Sequence, residues 1–280
     1  MIRTLLSTCI LCAITSCKQT EIPNYNGDYD LSLMSFNLRY DEEADGENKW
    51  SNRQWACIDM LKEFEPSLLG IQEGQEHQVN FLAENLDDYA HVGEKNESSY
   101  YGEYKSIFYK KAQFDLLQSE TFWLSETPEV QSLGWDSNNI RIVTWAKLYD
   151  KYTGKILYVF NTHFDHIGKV AQQKSSELLV EKVSEIVEVG TPVFITGDFN
   201  MLIGNKRLAP ITNELLSAQH FAEKSDDNQS FNAFGRWYLN RNIDFIFFKN
   251  ANALSYKTVV KDYGVPYISD HFPIISHMNY

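Results

Sequence analysis

A layered α/β fold is what the sequence predicts, on three observations. Short β-branched or aromatic runs alternate with amphipathic helical stretches, polar motifs terminate those runs, and 280 residues of 43% hydrophobic content can fill a large core. In order, residues 31–36 alternate as a strand. Ser51 can cap a helix carrying Trp55, Ile58, Leu61 and Phe64 on its apolar side, and Pro66 stops that helix before a strand over 68–72. Glu73 then falls just past a strand end. Residues 106–109, 114–117, 122–124 and 142–148 predict four strands in a β-rich middle. A second unit follows, with a strand over 156–161, a helix with Leu178, Leu179, Val183 and Ile186 on one face, and a strand over 192–196 closed by Gly197-Asp198. No fixed repeat, low-complexity tract or internal linker divides 29–280, so one domain is expected.

The N-terminus reads as an address. Arg3 supplies a positive start, residues 5–14 an apolar stretch too short to span a bilayer, and Ile14-Thr15-Ser16-Cys17 the shape of a bacterial lipobox. Residues 1–16 are therefore expected to be a lipoprotein signal peptide and Cys17 the lipid-bearing residue; an ordinary secretory signal is the alternative. Residues 17–28 read as a polar tether. Loss of Cys9 and Cys12 with the signal leaves Cys17 and Cys57, so no internal disulfide framework is expected. The location that follows is the bacterial cell envelope, periplasmic or surface-exposed, with the membrane reached through the lipid. Nothing in the sequence points to a protein partner.

A net charge of −13 excludes a broadly basic nucleic-acid-binding face. Against that background, Asn37, Glu73, His163, Asp198 with Asn200, Asp244, and Asp270-His271 stand in strand-end motifs. In α/β folds the loops beyond strand ends carry chemistry, because the sheet holds them rigidly while leaving them accessible. Cleaving a phosphoester requires charge neutralisation, an oriented water and help for the leaving oxygen. Hard oxygen ligands suit Mg²⁺ or Mn²⁺, so Glu73 is the first metal-ligand candidate, with Asn37 adding a neutral oxygen or orienting a bound water, and Asp270 completing the site. His271 beside Asp244 would have its tautomer fixed and its cation favoured. Asp198 and Asn200 would then face the attacking water and the phosphoryl oxygens.

MSFNLRY, GIQE, NTHFDH, GDFN, RNIDFIF and SDHFP, in that order, resemble the endonuclease/exonuclease/phosphatase superfamily of DNase I-like nucleases, sphingomyelinases, inositol polyphosphate phosphatases and deadenylases. The resemblance spans 31–275. It implies a four-layer α/β-sandwich with two central mixed sheets, a divalent-metal site at one end, metal roles for Asn37, Glu73 and Asp270, and catalytic roles for His163, Asp198, Asn200, Asp244 and His271. It leaves Asp198 and His271 both open as the general base. NLRYDEEADGENKWSNR, FWLSETP and RIVTWAKL further resemble a group of exported bacterial members.

Several residues keep two readings. Arg141 is a phosphate contact or an ion-pair partner, Asp165 a support for His163 or a turn residue, and Tyr109 a substrate contact or core. Asp41 lies in a loop suited to substrate selection. His77, His91, His166, His220 and His277 are expected to be packed or solvated. The function expected is metal-dependent phosphoester hydrolysis, on a phosphorylated small molecule, lipid or nucleic acid. A nuclease would use Lys95, Lys105, Lys110 and Lys111, a sphingomyelinase an aromatic wedge at Tyr100-Tyr101 or Trp237-Tyr238, and a sugar or inositol phosphatase a compact pocket with Arg141 and Arg236. A lipid-anchored binding module without catalysis is the alternative class.

Overall fold

The structure, a computed structural model, describes residues 28–96, 102–236 and 241–280. The signal segment, Cys17, most of the tether and the two aromatic pairs Tyr100-Tyr101 and Trp237-Tyr238 lie outside the described residues. In chain order the elements run β1 (Leu31–Asn37), α1 (Trp50–Phe64), β2 (Leu68–Gln72), β3 (Gly74–Gln75), α2 (Glu76–Asn85), β4 (Tyr89–Val92), β5 (Glu103–Tyr104), β6 (Ile107–Lys110) and β7 (Phe114–Trp123). They continue with β8 (Ile142–Asp150), β9 (Lys155–His163), α3 (Lys169–Ile186), β10 (Val193–Asp198), α4 (Ala209–Glu214), β11 (Leu216–Ser217), α5 (Ala218–Phe221), β12 (Lys224–Ser225), β13 (Asp244–Lys249), β14 (Asn252–Thr258) and β15 (Ile274–Asn279).

Two mixed sheets result, seven strands in the order β12-β14-β15-β1-β2-β6-β4 and six in the order β11-β13-β10-β9-β8-β7, with β3 and β5 as a small separate pair. The inner faces meet through Leu31, Leu33, Leu68, Leu157, Val159 and Phe194. On the far side of the first sheet Met34 and Phe36 pack under α1 with Trp50, Ile58 and Leu61, and on the far side of the second Phe160 and Ile195 pack under α3 with Leu179 and Val183. Period-two alternation along each strand thus feeds two different cores, which is the four-layer sandwich.

Three local expectations change. The two strands expected over 114–124 are one ten-residue strand, β7, with a register shift between Leu116 and Gln118. The bulge breaks the alternation that would have marked it as continuous. Helix α1 begins at Trp50, and its cap comes from outside the helix, because Asp41 Oδ1 accepts the Trp50 N–H at 3.2 Å. Tyr109 is core, in the inter-sheet cluster opposite Leu68 in register.

Near the end of the sandwich that bears the motifs, the inter-sheet core turns polar. Asn161 donates to the carbonyls of Ile71 (2.7 Å) and Ser106 (3.0 Å) and accepts from Gln72 Nε2 (2.7 Å) and Thr196 Oγ1 (3.0 Å). The amide is satisfied on both sides and ties the sheets together just below the motif residues. Gly70 makes that approach possible, since a Cβ there would lie 2.0 Å from Thr196 Oγ1.

Candidate active site

Topology gathers the motifs at one edge. Parallel β1–β2 and β9–β10 end there, bringing Asn37, Glu73, His163 and Asp198 together. β13 and β15 run antiparallel to β10 and β1, so Asp244 opens β13 opposite Asp198 and the Asp270-His271 loop enters β15 at the same edge. Strand starts serve here as well as strand ends.

Asn37 Nδ2 donates to Glu73 Oε1 (3.2 Å) and to Asp198 Oδ2 (3.1 Å), while its Oδ1 accepts the Arg39 N–H (2.9 Å). The amide oxygen expected to face a metal is therefore turned to the backbone, and the amide nitrogen bridges two carboxylates. Glu73 adopts a left-handed φ of 59°, and its Oε2 accepts the Tyr40 N–H (3.2 Å). That conformation costs about 1–3 kcal/mol in a non-glycine residue and persists where surrounding structure fixes it. Burial first, then the nearby Glu103 and Asp270, push the Glu73 carboxyl upward; Arg39 and His271 oppose them.

Asp198 Oδ1 accepts the Asn200 N–H (2.9 Å), and its Oδ2 lies 3.4 Å from His163 Nε2 and 3.7 Å from His271 Nε2. Burial and the facing Asp244 raise its carboxyl, with His271 opposing. His271 Nδ1 meets Asp244 Oδ2 at 2.8 Å. Burial works against the His271 cation, but the Asp244 charge and hydrogen bond prevail and lift it to about 10. His163 goes the other way, pushed well down by burial and by Arg141 and Lys105. Its Nε2 stands 2.9 Å from Asn200 Nδ2, which makes Nε2 the acceptor and leaves the proton on Nδ1, buried without a partner 4.0 Å from Glu73 Oε1.

Ser269 closes the site from below, donating to the Asn37 carbonyl (2.7 Å) and accepting the His271 N–H (3.2 Å). Buried Arg53 donates to the carbonyls of Leu38, Arg39, Asn48 and Ile268, joining the end of β1 to the Asp270-His271 loop. These supports escape a sequence reading, because they bond backbone groups, among them the Asn37 and Ile268 carbonyls more than 200 residues away.

Glu73, His163, Asp198, Asn200, Asp270 and His271 open on a cavity of about 710 Å³, with Asn37 and Asp244 holding them from behind its lining. Arg141 lines it, and its Nε faces Asp165 at 3.8 Å, so it is an ion-pair partner with a place in the cavity wall. Asp41 does not line it; besides Trp50, it meets His77 at 3.0 Å. Tyr109 is absent from its lining as well. Glu103, Asn139 and Arg241 line it without having been singled out as site candidates; Phe231 lines it too, and so does His166, expected to be packed or solvated. Glu103 sits on the two-residue strand β5, too short to show a period, and pairs with the fully buried Lys105 at 2.8 Å. Lys95 and Lys110 pair with Glu76 and Glu65, and none of the four lysines lines the cavity.

Among the described residues, Asp198, Asp244 and His271 are the one His/Cys/Asp/Glu group whose ligand atoms lie within 4.8 Å of one another. Within it, the His271–Asp244 hydrogen bond is that of an acid–base pair. The carboxylates of Glu103 and Asp270, near enough to raise the cost of ionising Glu73, form with it the hard-oxygen environment that fits a divalent cation.

The fold is similar to the crystal structure of an endonuclease/exonuclease/phosphatase from Bacteroides vulgatus, with a TM-score of 0.84 and 33% identity over 89% of this chain and 98% of that one. It is equally similar to the mannosyl-6-phosphatase of Bacteroides thetaiotaomicron VPI-5482, with a TM-score of 0.84 and 29% identity over 89% and 100% of the two chains. By sequence it is 26% identical over 255 residues to protein L388 of Acanthamoeba polyphaga mimivirus, covering 81% of this chain and 91% of that protein. With residues 34–271, and so every group just described from Asn37 to His271, matching the endonuclease/exonuclease/phosphatase family, the chain belongs to that family.

Proposed function

We propose that the protein is a divalent-metal-dependent phosphoesterase acting on small phosphomonoesters. The observation that carries this is the convergence on Asp198 of Asn37, Asn200, His163 and His271 at the floor of one cavity. Glu73, with Asp270 beside it, would hold Mg²⁺ or Mn²⁺, which supplies Lewis-acid neutralisation of phosphoryl charge. Asp198, fixed as an acceptor by N–H donors from Asn37 and Asn200, takes the proton of the attacking water. His271, oriented by Asp244, faces the phosphoryl oxygens and stabilises their charge, as do the amide of Asn200 and the Nδ1–H of His163. The monoester reading is supported by the compact cavity, by Arg141 in its wall, and by the likeness to a protein named as a mannosyl-6-phosphatase.

The test is hydrolysis by metal-stripped protein of p-nitrophenyl phosphate and bis-p-nitrophenyl phosphate, with and without added Mg²⁺ or Mn²⁺. Metal-dependent turnover of the monoester, lost in Asp198→Asn, is the expected result. Turnover of the diester alone would reject the substrate class, and no turnover of either would favour the binding-module alternative. The envelope location rests on the pattern of residues 1–17 alone. Membrane-fraction recovery of the full chain, lost in Cys17→Ala, checks it.

A further inference from the structure

Asp165 is buried and belongs to none of the hydrogen bonds around Asp198 and His271. Its Oδ1 accepts the N–H groups of Ile167 (2.9 Å) and Gly168 (2.7 Å), shaping the turn after β9. Its Oδ2 accepts the N–H groups of Asn138 (3.0 Å) and Asn139 (3.2 Å), in the loop before β8, and faces Arg141 at 3.8 Å. Gln172 Nε2 anchors the Asp165 carbonyl from α3 (2.7 Å). Asp136, in the same loop, accepts the N–H groups of Val170 (3.2 Å) and Ala171 (2.7 Å) at the start of α3. One carboxylate therefore joins two segments that are distant in sequence, and each delivers side chains to the cavity: Asn139 and Arg141 from the loop, His166 from the turn.

That wall is rich in donors. Arg141 is 5% exposed and lines the cavity, and its buried Nε, 3.8 Å from Asp165 Oδ2, makes no hydrogen bond. With its Nε turned to Asp165, the guanidinium has its remaining N–H donors to offer an oxygen from a ligand in the cavity. Phe231 and Leu202 add apolar surface to the same cavity, and Glu103 adds a carboxylate acceptor. Donors, an acceptor and an aromatic face around a space larger than a phosphate suit a polyhydroxylated carbon skeleton, whose C–H face packs while its hydroxyls bond.

We infer that Asp165 is a positioning residue for substrate selection: it builds the wall of Asn139, Arg141 and His166, and that wall hydrogen-bonds the hydroxyl-bearing alcohol half of the phosphomonoester. The inference rests on the phosphomonoesterase reading and extends it to a class, the phosphorylated sugars and polyols. It also separates Asp165 from His163, two residues away, which meets Asn200 and Asp198 instead.

The experiment compares kcat/KM for mannose 6-phosphate and for p-nitrophenyl phosphate in the wild type, Asp165→Asn, Asn139→Ala and His166→Ala, with a thermal melt of each. The ratio of sugar ester to aryl ester is expected to fall about tenfold in Asp165→Asn, through KM more than kcat, and severalfold in the other two. A ratio that stays within twofold in all three, whatever the melts show, would overturn the inference and leave Asp165 as a loop support. If Asp165→Asn does not fold, the two cavity-lining variants carry the test. A wild type that cleaves p-nitrophenyl phosphate but neither mannose 6-phosphate nor glucose 6-phosphate overturns the inference alone; one that cleaves no monoester overturns it together with the function it rests on.

Discussion

Asp198 and Asp244 are register partners across β10 and β13, and the His271 ring sits against both, 2.8 Å from Asp244 Oδ2 and 3.7 Å from Asp198 Oδ2. Two buried carboxylates facing across adjacent strands would repel, and the imidazolium between them is what makes the pair tolerable. Its loss is therefore catalytic as well as electrostatic. Asp244→Asn is expected to keep the fold, free His271 from its orienting charge, and lower kcat for p-nitrophenyl phosphate on the order of 10²-fold or more. Steady-state kinetics beside a thermal melt check it; a wild-type kcat would remove Asp244 from the catalytic group.

Glu73 carries the charge conflict of the metal-free site. Burial, Glu103 and Asp270 all penalise its ionised form, and a bound cation would relieve all three. Wild-type protein is expected to melt higher with Mg²⁺, by about 2.7 kcal/mol of stability at a hundredfold excess over Kd. In Glu73→Gln the metal-induced gain should be largely lost, while the metal-free variant melts at or above the metal-free wild type. An undiminished metal shift in that variant, read by calorimetry, would place the cation elsewhere.

How much of this was legible in the sequence depends on where each residue finds its partner. β1, β2, β9 and β10 declare themselves by apolar runs, and their terminal polar residues mark the active edge, because nothing else explains a carboxylate or amide closing a buried strand. Asp244 and His271 are legible as motifs, but their convergence needs the antiparallel entry of β13 and β15. Tyr109 and Phe108 adjoin on a strand whose two faces are both covered, so aromatic character there cannot tell a ligand wall from core. Asp41 stands in a loop that folds back to cap α1, a relation between positions nine residues apart that no helical or strand period encodes. Asp165 is legible as a turn residue, yet its hold on the loop before β8 is purely tertiary.

Arg53 is another such tertiary residue. It is 1% exposed in the first turn of α1, has no carboxylate within salt-bridge range among the described residues, and satisfies backbone carbonyls of Leu38, Arg39, Asn48 and Ile268. Arg53→Met fills similar volume but strands those acceptors, at about 1–3 kcal/mol for each one left dry. The variant is expected to unfold at lower denaturant by about 3 kcal/mol, with kcat falling because the Asp270-His271 loop loses a tie to β1. A variant with full stability in urea would show that water replaces the guanidinium.

His277 offers a stability test away from the active edge. It lies on β15, is 7% exposed, contacts Ser255 Oγ through Nδ1 at 2.8 Å and packs against Tyr29. Burial depresses its folded-state pKa to about 4. In the unfolded chain the ring takes a proton near pH 6.5, so between those values the unfolded state binds more protons than the folded one. Its contribution is then complete above about pH 6.5, declines as the pH falls through that window, and is fully lost below about pH 4. The drop attributable to this residue is on the order of 3 kcal/mol at most. Urea unfolding at pH 7.5 and pH 4.5 should show a smaller acid-induced loss in His277→Gln than in the wild type. Carboxylates titrate at the lower end of the same range in both proteins and cancel in the comparison, so identical acid losses would mean that the ring is reached by water and protonates in the folded state.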